Sequence, residues 1–441
     1  MSTKLLDNAF SLKDHLASDF YDGIKCPCKL KIGTEIEKIN VLKDSFKAVP
    51  YFLVEKFLNI FAREYSWEKI QENSKTLFLK KDGHTISLEP GSQLEISLAP
   101  LDNIHQIETF LKDFNPKVSA LADDLGFYTL GYGIQPLSTY DEIDIIPKAR
   151  YSSMTEYFAD KGDMAYVMMR ETAGVQVNLD YFSEDDAIAK LRLGMILAPI
   201  VSAMFANSPV RGGHHTGYKT FRAKSWLYTD NDRCGFISEK LFDPYYTFTF
   251  DDYVDALLDL PMIFVVRDSK PYRMSSTFRE YLATGFATLD DWRLHANLFF
   301  PEVRLKSFLE FRNADSQSFE MSLAIMAFYK GIFYDKAAMA KANEILCDVN
   351  MQTLTRMRYL SPMYGVEVSV GDKKILDLAL RLLNVAYESL KRQVELNISS
   401  LDESSFLLAL KQNLEEGKAP CDRLLEVCGD DVAKIVEYTK I

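Results

Sequence analysis

Cysteine is scarce, with six residues among 441, at Cys26, Cys28, Cys234, Cys347, Cys421 and Cys428. So few, so dispersed, exclude a disulfide framework in a chain of this size. Neither Cys26-Pro-Cys28 nor the Cys421/Cys428 pair has the matching His or Cys cluster of a zinc site, so buried or incidental thiols are the reading. Histidine is equally rare, and its six positions, including His214-His215, show no metal spacing. Positive charge is in deficit: 51 basic against 63 acidic residues leave a net charge of −12. With no excess cation to release counterions from phosphates, a general nucleic-acid binder is excluded. No apolar run is long enough to cross a bilayer, so no membrane partner is expected. The start, Met1-Ser-Thr-Lys-Leu-Leu-Asp7, lacks an apolar segment followed by a small-residue cleavage site, which points to a cytoplasmic protein. There is no internal repeat and no Walker A sequence; Gly212-Gly213-His214-His215 lacks the Lys-Ser/Thr of a phosphate loop and reads as a mobile loop.

What is present begins with acid on strands. A hydrophobic content of 47% and a charged content of 26% are those of an ordinary globular protein. Within it, Lys29-Leu-Lys-Ile-Gly-Thr-Glu-Ile-Glu37 alternates so that Leu30, Ile32, Thr34 and Ile36 face one way and Glu35 and Glu37 the other. Thr85-Ile-Ser-Leu-Glu-Pro-Gly-Ser-Gln-Leu-Glu-Ile-Ser97 sets Glu89 and, past the Pro90-Gly91 break, Glu95 on a polar face. Four acids on the polar faces of strands repel one another unless cations lie between them, and hard oxygen ligands suit Mg²⁺ or Mn²⁺.

The chain is long enough for two or three domains, or for one large α/β domain with a helical appendage. Residues 1–50 carry an opening helix and the Glu35/Glu37 strand; amphipathic helices follow near Pro50–Glu64 and Asn103–Asp124. From 126 to 315, short alternating segments at 127–133, 174–181, 220–226 and 261–266 read as strands of an antiparallel sheet with helices inserted. One inserted helix starts at Ser183, ahead of Glu184-Asp-Asp, and Pro199 is expected to kink or end it. From about 318 the pattern is helical, with Ile375, Leu376, Ala379, Leu380, Leu383 and Tyr387 on one stripe and a further helix at Ser404–Asn413. The expected division is a catalytic core over 1–315 and a mainly helical region over 316–441 packed on it.

The third polar strand places Gln176, Asn178 and Asp180 on one face. As a strand, 220–226 would bring Arg222, Lys224 and Trp226 to one side, and the stretch 300–315 supplies Glu302, Arg304, Glu310, Arg312 and Asp315. Carboxylates for metals and guanidiniums for phosphate and carboxylate oxygens suit the activation of a carboxylate by ATP. An acyl phosphate must then be kept from water until an amine attacks it.

The segments Lys31–Lys38, Leu88–Ser97, Pro147–Tyr151, Val175–Asp180, Phe205–Pro209, Trp226–Arg233 and Phe300–Lys306 together resemble the plant-type glutamate-cysteine ligases, a family also found in bacteria. Ser92 and Leu94 depart from the Glu-Pro-Gly-Gly-Gln-Phe-Glu pattern associated with that family. The resemblance implies an α+β, glutamine-synthetase-like fold, with a curved antiparallel sheet forming an active-site funnel over two or three Mg²⁺ ions. It implies that ATP phosphorylates the γ-carboxylate of glutamate and that the amine of cysteine captures it, giving γ-glutamylcysteine, the first step towards glutathione, in a monomer or homodimer. Carried across by position, it makes Glu35, Glu37, Glu89, Glu95 and Glu310 the metal ligands. Arg312 becomes the candidate for the transferred phosphoryl, with Arg170 a second catalytic cation. Arg222, Arg233, Trp226, Tyr151 and Thr172 are candidates for substrate binding, and Gln176, Asn178 and Arg304 for ATP. Two other readings stay open: a ligase joining glutamate to a different amine or serving another thiol pathway, and a non-catalytic relative that binds amino acid or nucleotide.

Overall fold

The computed structural model describes residues 12–441 apart from residue 73; the Met1–Asp7 segment lies outside them. Its centre is a nine-stranded antiparallel sheet. The strands are β1 (Ile32–Leu42), β2 (Glu68–Glu72), β3 (Lys75–Lys81), β4 (His84–Leu88), β5 (Leu94–Leu101), β6 (Phe127–Leu130), β7 (Gly174–Leu179), β8 (Val303–Leu305) and β9 (Leu309–Asp315). Their spatial order is β8-β9-β7-β1-β5-β4-β3-β2, with β6 on the far half of β1.

Period-two alternation divides the sheet into an apolar and a polar face. Thr34 and Ile36 of β1, Val175 and Val177 of β7 and Phe311 of β9 are buried on the apolar one. Two helices cover it: Glu184–Met204 and Phe319–Phe333, the second of which sets its Tyr329 and Phe333 rings beside Phe311 at 4.4 and 4.9 Å. Ser183 caps the first by accepting from the Asp186 amide, which stabilises the helix by about 1 kcal/mol. Of the two outcomes expected at Pro199, ending is ruled out: the helix runs five residues further, to Met204, held by burial on nearly every side. By length and composition the same helix is also apolar enough to span a membrane, contrary to expectation, but 83% of that stretch is buried inside the protein.

Other expectations are met or corrected locally. The opening helix is Leu12–Asp22, and the two amphipathic helices are Tyr51–Glu64 and Ile104–Asp124. Residues 264–267 are a strand, but one that pairs only with 270–273, away from the main sheet. Residues 221–227 are a helix, not a strand. Gly212 and Gly213, both at positive φ, close a two-residue turn between the short strands 210–211 and 214–215, so the expected loop is a tight hairpin. Past Asp315 the chain is mainly helical, with one short strand pair at 369–370 and 373–374: Ile375–Gln393 buries Ile375, Leu378, Ala379, Leu382, Leu383 and Ala386 against the rest, and Leu408–Glu415 follows a short 3-10 turn.

Candidate functional site

The polar face of the sheet floors a cavity of about 320 Å³. Strand register assembles that floor. Arg304 pairs with Glu310 across β8–β9, Glu310 with Asn178 across β9–β7, Gln176 with Glu35 across β7–β1, and Glu37 with Glu95 across β1–β5. Glu89 enters from the turn between β4 and β5, where its amide donates to the Gln93 carbonyl. In that turn Ser92 holds φ 67°, a left-handed conformation that favours glycine, at the position where the sequence departs from the family pattern.

Glu35, Glu37, Glu89 and Glu95 each keep part of their surface open to the cavity, yet protein surrounds them densely. Burial raises the pKa of all four above the usual carboxylate range, and neighbouring acids add to it: Glu310 for Glu35, Glu37 for Glu89, and Glu35, Glu89 and Glu37 together for Glu95, which is raised furthest. Protein donors offset part of the strain. Glu37 accepts from the Gly174 amide at 2.5 Å and Gln176 Nε2 at 2.7 Å, Glu35 from Asn178 Nδ2 at 3.0 Å, and Glu95 from the hydroxyls of Ser87 and Ser97 at 2.8 and 2.9 Å.

Among the described residues, no three His, Cys, Asp or Glu side chains converge as a ready-made metal cage. The donor set nevertheless fits hard cations. Gln176 Oε1 and Asn178 Oδ1 are buried acceptors with no partner, beside Glu37 and Glu35. Glu37 and Glu95 are directly opposed, with Cβ atoms about 5 Å apart, so side-chain rotation alone brings their oxygens together.

Glu310 differs from the other acids. Arg304 grips it with two nitrogens at 2.8 and 2.9 Å, Arg312 Nη1 donates at 2.7 Å and Lys306 approaches at 3.4 Å. Burial alone would push its carboxyl up; the three cations hold it well below the usual range. Its oxygens clamp two guanidiniums, and a metal there has to displace one of those contacts.

The arginines separate into those that reach the cavity and those that do not. Arg304, Arg312 and Arg222 line it, as do Trp226, Tyr151 and Thr172. The Arg312 guanidinium lies 5.6 Å from the centre of the Trp226 ring. Arg222 and Trp226 sit four apart on the helix Phe221–Leu227, which turns Lys224 elsewhere. Thr220 caps that helix and donates to buried Asp315 at 2.8 Å, which fixes its start. Gly174 makes room for the Arg222 guanidinium; a Cβ there would fall 2.4 Å from Nη2.

Arg170 and Arg233 are corrected. The Arg170 side chain donates to the carbonyls of Tyr140 and Ile143, and lies outside the cavity wall. Arg233 is fully buried against Asp230, the Tyr157 hydroxyl and the carbonyls of Leu298 and Pro261, so it is a core ion pair. Asn178 is not on the cavity wall either, and acts on it through Glu35. Residues that the sequence pattern does not single out also line the site: Arg150 at the rim, donating to the Tyr151 hydroxyl at 3.1 Å, Gln93, and the apolar wall of Met154, Met168 and Met169. Arg150 stands in the Pro147–Tyr151 segment and Gln93 in Leu88–Ser97, and the four-residue spacing from Arg150 to Met154 is a signal for Met154 alone.

Comparisons with known proteins identify the family of the chain. The family model described as glutamate-cysteine ligase family 2 matches residues 31–437. The chain is 36% identical over 424 residues to a chloroplastic glutamate-cysteine ligase of Medicago truncatula, covering 94% of this chain and 81% of the relative. It is 34% identical over 433 residues to the chloroplastic enzyme of Arabidopsis thaliana, covering 96% and 81%. In fold it is similar to a solved glutamate-cysteine ligase from Francisella tularensis in complex with AMP, at a TM-score of 0.56 and 14% identity over 93% of this chain and 87% of that one. With the match running from the first sheet strand into the last helix, the chain belongs to glutamate-cysteine ligase family 2.

Proposed function

We propose that this chain joins L-glutamate to the amine of L-cysteine at the expense of ATP, forming γ-glutamylcysteine, the first step of glutathione synthesis. The observation that carries this reading is one cavity with an acidic floor of Glu35, Glu37, Glu89 and Glu95 and a cationic wall of Arg222, Arg304 and Arg312. An acidic floor repels ATP and glutamate by itself. Mg²⁺ or Mn²⁺ held by the four carboxylates, with Gln176 Oε1 beside them, would neutralise the triphosphate and expose the γ-phosphoryl group to attack.

Arg312, held at one nitrogen by Glu310, keeps its remaining donors for the phosphoryl group in flight and for the γ-carboxylate oxygen that attacks it. Arg304 is anchored by Glu310 and by the carbonyls of Asn297 and Phe299, so it presents a fixed charge towards the nucleotide. Arg222 suits the α-carboxylate of glutamate, with Trp226 as a wall. Attack of the γ-carboxylate on ATP gives γ-glutamyl phosphate and ADP; attack of the cysteine nitrogen on the acyl carbon then expels phosphate as the amine loses a proton. Tyr151, Met154, Met168 and Met169 form a wall poor in water donors, which protects the acyl phosphate from hydrolysis and suits a thiol side chain.

The test is ADP release by purified protein with Mg²⁺, ATP and glutamate, with cysteine or other amines added in turn. Cysteine-dependent turnover with the mass of γ-glutamylcysteine, lost in Glu37→Gln, is the expected result. Faster turnover with another amine would change the acceptor, and no turnover with any amine would overturn the reading.

A further inference from the structure

The helices beyond Asp315 have no part in the chemistry derived so far, yet one of them reaches the catalytic arginines. Beside the main cavity is a small chamber of about 30 Å³ that shares Arg222, Trp226, Phe300 and Arg312 with it. Its wall carries three guanidiniums, of Arg222, Arg312 and Arg358, and among the described lining residues Glu302 is the one carboxylate. Arg358 comes from the helix Met351–Tyr364 and donates from Nε to Glu302 Oε1 at 2.5 Å. The other oxygen of Glu302 accepts from Asn313 Nδ2 at 2.6 Å. Gly235 lets Arg358 approach: with φ +107° and no side chain, it leaves a gap in which a Cβ would lie 3.0 Å from Arg358 Nη2.

Both oxygens of Glu302 are therefore taken, neither by a catalytic arginine. Arg222 leaves Nε without a partner and spends Nη2 on the Arg312 carbonyl at 3.1 Å, so no carboxylate is hydrogen-bonded to it. Glu37 and Asp315 are the carboxylates whose charge acts most on Arg222, and that of Glu302 adds to them. The Arg312 amide also donates to the Glu302 carbonyl at 3.3 Å, which fixes the two residues side by side. With Arg358 removed, the guanidiniums left in the chamber with Glu302 are those of Arg222 and Arg312, the two that also face the main cavity.

We propose that Arg358 is a positioning residue: by occupying Glu302 it keeps that carboxylate off Arg222 and Arg312, so that both remain available to anionic substrates. The inference rests on the ligase reading of the main cavity, and it gives the C-terminal helices a defined task, the supply of a counter-charge from outside the sheet. A buried or half-buried charge pair broken on one side leaves the other side free to re-pair, and the damage then comes from the released charge rather than from the lost contact.

The experiment compares wild type, Arg358→Ala, Arg358→Lys, Glu302→Gln and the double variant Arg358→Ala/Glu302→Gln in steady-state assays with glutamate, cysteine and ATP varied separately. Arg358→Ala is expected to lower kcat/KM for glutamate by roughly tenfold, with a smaller effect on KM for cysteine. Arg358→Lys keeps the charge and is expected to recover most of that loss. The decisive arm is the double variant: with Glu302 neutral there is no released carboxylate, and activity should return to within about threefold of wild type even though the ion pair is gone. Thermal melts of all five proteins separate folding from function. Wild-type kinetics in Arg358→Ala, or a double variant no better than Arg358→Ala at equal melting temperature, would overturn the proposal. If Arg358→Ala does not fold, Arg358→Gln against Arg358→Gln/Glu302→Gln carries the same comparison, since glutamine also removes the charge that holds Glu302. Inactive wild-type protein would instead count against the ligase reading, so the two failures are distinct.

Discussion

Glu95→Gln should make the metal-free protein more stable while destroying its activity. Glu95 lies opposite Glu37 across β1–β5 and close to Glu35 and Glu89, and like charges at directly opposed strand positions are destabilising. Two unit charges about 5 Å apart at an effective dielectric of about 20 repel by roughly 3 kcal/mol. Part of that repulsion is already relieved by proton uptake and by the cavity's water, so about 1–2 kcal/mol is the expected net gain. Glutamine keeps the shape and the Oε1 acceptor used by Ser87 and Ser97, so no hydrogen bond need be lost. With an unfolding entropy of about 2.1 cal/mol/K per residue, such a gain raises Tm by roughly 1–2 °C in a chain of this length. The sign also sets the pH dependence. A carboxyl whose folded pKa is raised binds more protons folded than unfolded, so its destabilising effect is absent in acid and grows as pH rises through the shifted range. The gain should therefore be visible in EDTA at pH 7.5 and shrink towards pH 5. Mg²⁺ should reverse the order, since wild type gains about 2.7 kcal/mol at a hundredfold excess over Kd and the variant less. Calorimetry at both pH values, with and without Mg²⁺, measures all of this. A metal-free variant that melts at or below wild type at pH 7.5 would rule out repulsion among these acids as a cost to the fold.

Three further outcomes follow, two from the arginines and one from the opposite face of β1. Arg312→Lys should cut kcat by about 10²–10³ with little change in Tm, because a point charge does not replace a planar fork in the cavity. Arg170→Lys should do the reverse, keeping kcat and lowering Tm, since its guanidinium ties the 140–143 loop by backbone carbonyls; equal loss of kcat in both would contradict the placement. Lys38 is buried on the apolar side of β1, donates to the Gln317 carbonyl at 3.2 Å, and has its pKa pulled down to about 7 by burial. Its unfolded state binds more protons between pH 7 and the usual lysine value, so stability should rise with pH over that window. Lys38→Met should remove that rise and stabilise the protein by about 1–3 kcal/mol at pH 7 and below, as read from denaturant midpoints at pH 6.5 and 9.

Much of the sheet is legible because acids that recur on a period of two mark a strand with one polar face. Glu35 and Glu37, then Glu89 and Glu95, declare that face whatever the partners are, and pairing of β1 with β5 brings the two together. The segment 220–226 was ambiguous for a physical reason. Its seven residues alternate as well on a strand as they repeat on a helix, and the deciding signal is the Thr220 cap, whose worth depends on Asp315, 95 positions away. Ser92 shows another limit: sequence gives the residue but not its positive φ, which the tight path from Glu89 to Gln93 imposes.

The arginines show where pattern ends and register begins. Arg170, Arg222, Arg233 and Arg312 look alike as candidates, because a guanidinium is equally suited to a substrate carboxylate, to a protein carboxylate or to backbone carbonyls. Their fates were decided by what lay within about 3 Å once the chain had folded. Arg233 met Asp230 and three other acceptors and was used up in the core, and Arg170 met the carbonyls of a loop. Arg222 met glycine at position 174, where any side chain would have displaced it, and so kept a free nitrogen. Glu310 follows the same rule in reverse. It belongs by alternation to the polar face that carries the other acids, but β8–β9 pairing sets Arg304 directly across from it and Arg312 two residues along, so this acid organises cations while Glu35, Glu37, Glu89 and Glu95 are left to attract them. A site that moves a phosphoryl group between two anions needs both kinds of carboxylate, and which acid becomes which is settled by its cross-strand neighbour.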